Sequence, residues 1–319
     1  MKHALSLLCV CGALICLLLA PSAAMDSAAY GLELYARLLL PSLYPFFVLS
    51  ALLVRLGFPR LLGRLAAPAA RLLWGISGQG VSALVAGLCG GYPLGAQTAA
   101  ELYRAGEISR EEAEFLLGFC NNTGPSFLIG VIGSGLFSSR GLGLRLYAIH
   151  ALSALLAGIA LRPRALPISA RSSSEPGHIQ ESFSTALVAS VRQAVTSVLY
   201  VGGFVVCFCV VTGMLEASGF VAVCSAALSK FSGLSSPFVR ALLTGLLELS
   251  SGVGAMQSLV PGRDLFLLCA FLSGWGGLSV QFQTLAVLSD TDLNTRFLLP
   301  GRVLSALFSA FFAFLLYPA

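Results

Sequence analysis

The sequence predicts an all-α polytopic membrane protein, built as an inverted repeat with two re-entrant hairpins, two interrupted transmembrane helices and about seven full spans. Three observations predict this class. The chain is too apolar to present a water-facing surface, several apolar runs have the length of a membrane span, and some of these runs are broken by polar residues. Of the 319 residues, 57% are hydrophobic and 10% are charged, whereas a soluble domain carries about a quarter charged residues.

Seven apolar runs are predicted to cross the membrane, because each approaches the roughly 20 residues that a spanning helix needs. They cover residues 3–20, 34–56, 115–138, 142–161, 195–215, 265–289 and 297–317. The runs at 115–138 and 265–289 are the interrupted ones. The first run has two interpretations, a signal peptide or a first span with its amino terminus inside the cell.

Two shorter segments, 75–98 and 240–260, carry turn residues or a polar break near their centres and are predicted to form the re-entrant hairpins. The chain then divides into four parts. These are an amino-terminal signal anchor or signal peptide with its linker at 1–33, a first repeat at 34–161, a polar cytoplasmic linker at 162–185 and a second repeat at 186–319.

The basic residues predict the topology and the cellular location. The formal net charge is +5, from 19 Lys and Arg against 14 Asp and Glu. The arginines from 55 to 71, and those at 104, 110, 162, 164, 171 and 192, fall on the side that Lys2 marks as cytoplasmic, and fewer basic residues fall on the other side, as the positive-inside rule requires. We therefore expect a multi-pass protein of the plasma membrane that contacts anionic lipid headgroups and binds no nucleic acid.

The nine cysteines and three histidines predict no metal site and no catalytic centre. There is no C-x-x-C pair, and most cysteines lie in apolar runs, where a thiol acts as a small packing residue. His3, His150 and His178 are scattered along the chain. The glycine-rich GLCGGYPLG lacks the Gly-Lys-Ser/Thr of a nucleotide-binding loop. We expect neither a cofactor nor an enzymatic activity.

Three blocks of sequence recur in the same order, at an offset of roughly 150–160 residues, which indicates an internal duplication. Residues 42–58 match 197–220, 87–97 match 245–257, and 119–127 match 271–280. An odd number of predicted crossings separates the two hairpins, so the repeats are inverted. Inverted repeats with broken helices are typical of secondary transporters, whose binding site lies near the bilayer midplane.

The first candidate site is the polar break inside the run at 115–138. Asn121, Asn122, Thr123 and Ser126 carry hydrogen-bond donors and acceptors, and Gly124 with Pro125 opens the helix. Lipid offers no hydrogen bonds, so a broken backbone at membrane depth must be buried in protein or line a wet cavity. Such residues can also simply join helices, but a matching break in the second half favours a binding site.

The second candidate is Glu248, the only carboxylate of its hairpin and flanked by leucines. A carboxylate at membrane depth is costly and persists when it is neutralised, paired or functional. We expect it to couple protons or cations or to bind a polar ligand. The alternative is a shallow or protonated Glu248 that Ser250 and Ser251 satisfy.

The predicted polar lining is completed from both halves. The first hairpin contributes Gln97 and Thr98, and the second half contributes Ser273, Gly276 and Ser279 at its break, with Gln257, Gln281 and Gln283 nearby. Fixed charges are few in this set. The lining therefore indicates a neutral, hydrogen-bonding solute.

Several motifs resemble those of a known family. SLYPFFVLSALLVRLG, GLCGGYPLGAQTAAELYRAGEISREEAEFLLGFCNNTGPSFLIGVIGSGLF and LSGWGGLSVQFQTL resemble the sporulation integral membrane proteins of the YlbJ type, within the nucleoside-recognition Gate-domain family. The resemblance covers roughly residues 35–317, nearly the whole chain.

The resemblance implies a spore-forming Firmicute, a location in the forespore or mother-cell membrane, and a role in spore cortex or envelope formation. The Gate-domain family is similar to the core of concentrative nucleoside transporters and to the membrane part of ferrous-iron transport protein B. In the transporters, two hairpins and two interrupted helices hold the nucleoside. By position, the resemblance implies a nucleoside-like solute at 97–98, 121–126, 248–251 and 273–279.

Two functions follow as hypotheses. The first is a secondary transporter or permease for a small polar solute. The second is a membrane scaffold, without transport, that recruits sporulation proteins. A homo-oligomer is compatible with both.

Overall fold

The structure is a computed structural model that describes residues 2–164 and 182–317. Most of the predicted linker, residues 165–181, lies outside the described residues. The described ranges are helical and contain no strand, which confirms the all-α class. The α-helices are α1 Lys2–Leu19, α2 Pro21–Leu34, α3 Leu40–Arg55, α4 Phe58–Leu73, α5 Gly80–Gly90, α6 Leu94–Arg104, α7 Arg110–Leu116, α8 Arg140–Ala160, α9 Phe183–Ala217, α10 Phe220–Ser232, α11 Ser236–Leu247, α12 Leu249–Met256, α13 Arg263–Trp275, α14 Gly277–Val287 and α15 Leu298–Leu316, with π-helices at Tyr35–Leu39 and Ser126–Leu136.

Five helical segments of the described chain are long and apolar enough to cross a membrane, which makes the protein polytopic. They are Pro21–Arg55, Arg140–Ala160, Phe183–Ala217, Arg263–Val287 and Leu298–Leu316. The expected number was about seven. The run at 115–138 is not among them because its polar break divides it between α7 and the second π-helix, and α1, which contains the first run, is not among them either.

The first long segment begins earlier than the predicted span at 34–56. Pro21 starts α2, a position where proline is favoured because its missing N–H would be unpaired there anyway. The helix then continues through a π-helical turn, Tyr35–Leu39, into α3. Pro41 lies directly after this turn, and the wider turn leaves room for the proline ring, which would otherwise collide with the carbonyl four residues earlier.

The order of elements repeats along the chain. Each half has a long helix, a short helix, a helical hairpin, a broken helix and a final span. The long helices end in the same way, because Gly57 and Gly219 both adopt positive φ (83° and 76°) and each precedes a phenylalanine that begins the short helix. Glycine adopts this left-handed conformation without the steric cost that a side chain adds.

The two long helices pack against each other in opposite directions. Gly31 contacts Cys209, Tyr35 contacts Gly202, and Arg55 donates a hydrogen bond to the Gln193 side chain. Residue numbers rise along one helix while they fall along the other, so equivalent helices of the two halves are antiparallel. The halves are therefore inverted relative to each other.

Both predicted hairpins form helical hairpins whose arms touch through glycines. In the first, Gly91 (φ 84°) turns the chain between α5 and α6, and a Cβ on Gly87 would lie 3.1 Å from the Cα of Gly95. In the second, extended backbone at Glu248 separates α11 from α12, and Gly245 and Gly252 are in equally close contact. Only glycine permits backbones to approach so closely.

Each hairpin tip packs on the broken helix of its own half. In the first half, the N–H of Tyr92 donates to the carbonyl of Asn122 at 2.7 Å. In the second half, the indole N–H of Trp275 donates to the carbonyl of Leu246 at 3.0 Å. The breaks leave backbone groups without the hydrogen bonds that an intact helix would provide. These contacts supply partners for some of them.

The charged segment 99–114 is not exposed to solvent along its whole length, because two of its glutamates are buried. Glu112 and Glu114 are 1% and 4% exposed. Glu114 accepts hydrogen bonds from Arg110 and from the N–H of Asn294, so it ties α7 to the loop before α15. Arg104 pairs with Asp290 of the same loop.

Candidate functional site

The two helix breaks meet in the protein interior. The hydroxyl of Thr123 donates to the carbonyl of Ser273 at 2.8 Å, and the amide of Asn121 donates to the hydroxyl of Thr284 at 2.7 Å. All four residues are essentially inaccessible to solvent. The structure therefore joins the break of the first half to the break of the second, as the sequence predicts.

Asn122 and Ser126 are held beside this junction. The Asn122 amide donates to the carbonyl of Phe119 at 2.8 Å, but its side-chain oxygen has no hydrogen-bond partner. The Ser126 hydroxyl also has none. Gly124 lies against Gly91 of the first hairpin, and a Cβ on Gly91 would stand 2.9 Å from the Gly124 backbone. The glycines thus allow the hairpin tip to reach the break.

His150 belongs to this site, although its position in the sequence did not suggest it. The imidazole Nε2 accepts a hydrogen bond from the N–H of Thr123 at 3.0 Å, so Nε2 carries no proton. The other nitrogen, Nδ1, is buried and has no partner. A histidine near the middle of α8 looks like a packing residue until the fold brings the break alongside it.

Arg302 is the most informative residue that the sequence interpretation missed. It lies in α15, within the run predicted as an ordinary span, and is only 2% exposed. Its Nε and Nη2 atoms have no hydrogen-bond partner, and no salt bridge joins it to a carboxylate within residues 2–164 or 182–317. Its neighbour Gly301 packs against the backbone of Gly118, and Ala306, one turn later, packs against Gly274, so Arg302 lies on the stretch of α15 that borders both breaks.

These residues form one polar cluster with unused hydrogen-bonding capacity. We call it the central cluster and define it as Asn121, Asn122, Thr123, His150, Ser273 and Arg302. Five of these six retain at least one buried side-chain atom without a partner, and so do the nearby hydroxyls of Ser305 and Ser309. An unsatisfied buried polar group costs about 1–3 kcal/mol. A protein is expected to retain this cost at a site where a bound ligand or water supplies the missing hydrogen bonds.

Glu248 lies beside the central cluster at the tip of the second hairpin. It is 2% exposed, and its Oε2 accepts the N–H of Ser251 at 2.5 Å, which caps the amino terminus of α12. The hydroxyls of Ser250 and Ser251 also approach the carboxylate. Leu249, the residue after Glu248, lies against the second break, because a Cβ on Gly277 would stand 3.1 Å from its backbone nitrogen. The tip of the second hairpin therefore places Glu248 beside the break that contains Ser273.

Of the other predicted site residues, Gly276 and Ser279 lie at the second break, whereas Gln97 and the buried Thr98 lie on α6 of the first hairpin. Gly276 forms the break with φ 83°, and the Ser279 hydroxyl accepts from Gln283 at 3.2 Å. The Thr98 hydroxyl donates to the carbonyl of Leu94 within its own helix. Gln97 lies in a surface cavity away from the break and bonds to Glu101.

Two cavities flank the long helices. A cavity of about 760 Å³, the acidic vestibule, lies between α2, α9, α11 and α12, and its lining includes Asp26, Tyr30, Thr212, Glu216, Thr244 and Ser251. A second of about 400 Å³, the basic vestibule, is lined by Arg55, Gln97, Glu101, Ala189, Arg192, Gln193 and Thr196.

The two vestibules lie at opposite ends of α9. The basic vestibule uses Arg192 and Thr196, whereas the acidic vestibule uses Thr212 and Glu216. Twenty residues of α-helix separate each pair, which is about 30 Å at 1.5 Å per residue. This distance matches the hydrocarbon core of a bilayer. Gln97 and Gln257, which the repeat alignment pairs, line one vestibule each.

Comparison with known proteins gives one informative relative. The chain is 31% identical, over 324 aligned positions, to the sporulation integral membrane protein YlbJ of Bacillus subtilis (strain 168), covering 93% of this chain and 78% of that protein. No family model and no solved structure matches the chain. The identity and its coverage show that this multi-pass membrane protein belongs to the family of the sporulation integral membrane protein YlbJ.

Proposed function

We propose that this protein is a secondary transporter or permease that moves a small polar solute across a membrane of the sporulating cell, in support of spore cortex or envelope formation. The proposal depends mainly on the central cluster, where Arg302 is buried and forms no salt bridge with any described residue. An intramembrane arginine is costly and usually marks a substrate or ion pathway.

The arginine indicates the charge of the solute. A planar guanidinium matches the geometry of carboxylate and phosphate groups and binds them through paired hydrogen bonds. Nε and Nη2, the two Arg302 atoms without partners, lie on one edge of the guanidinium and suit such a paired contact. We therefore propose a solute with an anionic group, in place of the neutral solute that the sequence alone suggested.

The remaining groups of the cluster recognise the rest of the solute. The side-chain oxygens of Asn121 and Asn122 are buried acceptors without donors, and His150 Nδ1 is free of partners. A solute with donors and acceptors beside its anionic group satisfies both kinds of atom. A nucleoside-like solute, as expected for a Gate-domain protein, is the alternative, and it would use the amides without needing Arg302.

The inverted architecture supports movement rather than binding alone. Each half brings its own hairpin to the cluster, and a vestibule lies beside each hairpin at opposite ends of α9. In transporters built from inverted repeats, one half rocks against the other and exposes a central site to each side in turn.

A thermal-shift screen on the purified protein tests the proposal. The panel contains small carboxylates, phosphate esters and nucleosides, and hits are then assayed for uptake into proteoliposomes. We expect an anion to stabilise the wild type, the shift to be lost in Arg302→Met, and part of it to remain in Arg302→Lys.

Three results would contradict the proposal. A nucleoside that stabilises wild type and Arg302→Met equally would favour the nucleoside alternative. An anion that binds without uptake would exclude transport. If no solute binds and Arg302→Met supports normal sporulation, the scaffold hypothesis is preferred. Arg104 and Arg110 already pair with Asp290 and Asp292 of the same chain, which leaves this surface less free for partner proteins.

A further inference from the structure

The acidic vestibule leads toward Glu248, the buried carboxylate at the bend of the second hairpin. Thr244 and Ser251 line the vestibule, and Glu248 lies between them in the sequence, at the bend that joins α11 to α12. The hydroxyl of Ser251 contacts Cys209 Sγ at 3.1 Å, and the N–H of Ser251 binds Glu248 Oε2. Glu248 itself is 2% exposed. It therefore lies one layer beneath the vestibule wall.

Glu248 also borders the central cluster. A Cβ on Gly277 of the second break would stand 3.1 Å from the backbone nitrogen of Leu249 and 3.4 Å from the carbonyl of Leu247, the two residues that flank Glu248. The carboxylate is therefore positioned between a water-accessible cavity and the proposed solute site. A residue that only stabilised the hairpin would not need to lie between the vestibule and the solute site.

The vestibule reaches the immediate neighbourhood of Glu248. Ser251 lines the cavity and donates its N–H to the carboxylate. A cavity of about 760 Å³ with polar lining residues has room for water and partners for it. Such water brings protons to within one residue of Glu248.

The chemistry of the site favours a proton over a metal ion. Among the described residues, no group of three or more His, Cys, Asp or Glu side chains could hold a metal. Within residues 240–260, all of which the structure describes, Glu248 is the one carboxylate, whereas a metal ion such as Ca²⁺ needs several oxygen ligands. A proton needs one carboxylate oxygen and no coordination shell.

We propose that Glu248 is a protonation site, reached from the acidic vestibule, that couples proton movement to solute transport. This inference rests on the proposed transport function. The proton leaves a vestibule water and binds a carboxylate oxygen of Glu248, and no other covalent bond changes. The arginines of the basic vestibule fall on the side that the positive-inside rule assigns to the cytoplasm, so the proton enters from the opposite side.

Protonation changes the hairpin tip directly. Ionised Glu248 caps α12 through a charge-assisted hydrogen bond from Ser251, and the neutral acid is a weaker acceptor. Loss of this cap loosens the tip, where Leu249 packs against Gly277 of the second break. The same proton thus alters the contact between the hairpin and the broken helix.

Other titratable groups face this region from each neighbouring element. They are Asp26, Tyr30, Tyr92, Cys209, Glu216 and Arg240. Glu216 is paired with Arg240 at 2.8 Å, which leaves Asp26 as the uncompensated charge of the vestibule rim. Cys269 contacts Met256 at the far end of α12. A local negative potential of this kind attracts protons.

The first test needs no solute. Infrared spectra of the purified protein are compared between mildly alkaline and mildly acidic pH. We expect a protonated-carboxyl component that is present in the wild type, missing in Glu248→Gln and retained in Asp26→Asn and in Glu112→Gln. The buried Glu112 contributes a separate component, which disappears in Glu112→Gln instead. The amide that replaces the carboxyl in Glu248→Gln keeps an oxygen that can accept the Ser251 N–H, so the variant is expected to fold. Glu248→Asp should restore a titrating band.

The second test uses the anion identified in the thermal-shift screen. We expect uptake driven by an imposed pH gradient to fall in Glu248→Gln to the level of empty liposomes, while exchange of labelled for unlabelled anion continues. Identical infrared titrations in wild type and Glu248→Gln would overturn the proposal, and so would gradient-driven uptake that Glu248→Gln leaves unchanged. Absence of any uptake in the wild type would instead contradict the transport function, whatever the infrared result.

Discussion

The hydroxyl of Thr123 donates a 2.8 Å hydrogen bond to the backbone carbonyl of Ser273, and the two residues are 150 positions apart. Each lies at the break of its own half. Thr123 is completely buried, and its backbone N–H is bound by His150. One residue thus holds three elements together at the centre of the protein.

We expect Thr123→Val to lower the free energy of unfolding by about 1–3 kcal/mol, because the Ser273 carbonyl would be left buried without that donor. Thermal denaturation in detergent measures this. Thr123→Ser keeps the hydroxyl and is the control, with an expected loss of less than about 1 kcal/mol. Equal stability of Thr123→Val and wild type would show that the bond contributes nothing to the junction.

Arg302→Met should behave unlike most substitutions of a buried residue. No carboxylate among the described residues pairs with this guanidinium, so its burial carries a desolvation cost of several kcal/mol that an apolar side chain of similar length does not incur. We therefore expect an unchanged or higher melting temperature together with loss of anion binding. A large drop in melting temperature would indicate that Arg302 serves the fold of the unliganded protein instead.

Gly87 is expected to tolerate no side chain. A Cβ at this position would overlap the carbonyl of Cys120 and press on Gly95. Gly87→Ala should therefore destabilise the protein by at least about 2 kcal/mol, because forced overpacking moves the backbone.

Gly203→Ala in α9 is the matched control for Gly87→Ala. Nothing lies within 4 Å of the Cβ that would be added at Gly203. The alanine is expected to stabilise the helix by up to about 1 kcal/mol, since glycine loses more conformational freedom there. If the hairpin contact is as close as described, the melting temperature falls in Gly87→Ala and rises in Gly203→Ala.

Glu112 should make stability depend on pH. It lies in α7, outside the five spanning helices, and its Oε1 accepts two hydrogen bonds from Ser77. Burial raises the pKa of Glu112, and the Ser77 hydrogen bonds only partly oppose this. A carboxyl with a raised folded-state pKa favours the fold when protonated. Its contribution is complete below the unfolded-state pKa and is lost as the pH rises through the folded-state pKa.

Glu112→Gln removes this titration and keeps an oxygen that can accept from Ser77. We expect melting temperatures measured from acidic to neutral pH to fall less with rising pH in Glu112→Gln than in the wild type. Glu111→Gln, at the exposed neighbouring position, should retain the wild-type pH dependence. A wild-type profile in Glu112→Gln would mean that the buried carboxyl does not titrate in this range.

Much of the site was accessible from the sequence because its local signals are strong. Asn121 to Ser126 break an apolar run, and Glu248 interrupts another, so both positions could be identified without knowing the fold. His150 and Arg302 could not. Each sits singly in an apolar helix, and a single polar residue there resembles a packing or helix-joining residue. Arg302 carries the stronger signal, because a charge inside a spanning segment is unusual in itself.

The sequence by itself determined that the chain is a polytopic helical membrane protein with a repeated order of elements. Composition, run length and helix-breaking residues are local properties, and the bilayer permits few ways to satisfy them. Only the tertiary structure decided that Gln97 lines a peripheral vestibule, that the breaks touch through Thr123 and Ser273, and that Arg302 is buried on the part of α15 that packs beside them. Those relationships depend on which helix faces pack together, and residues 150 positions apart leave no local pattern that records their contact.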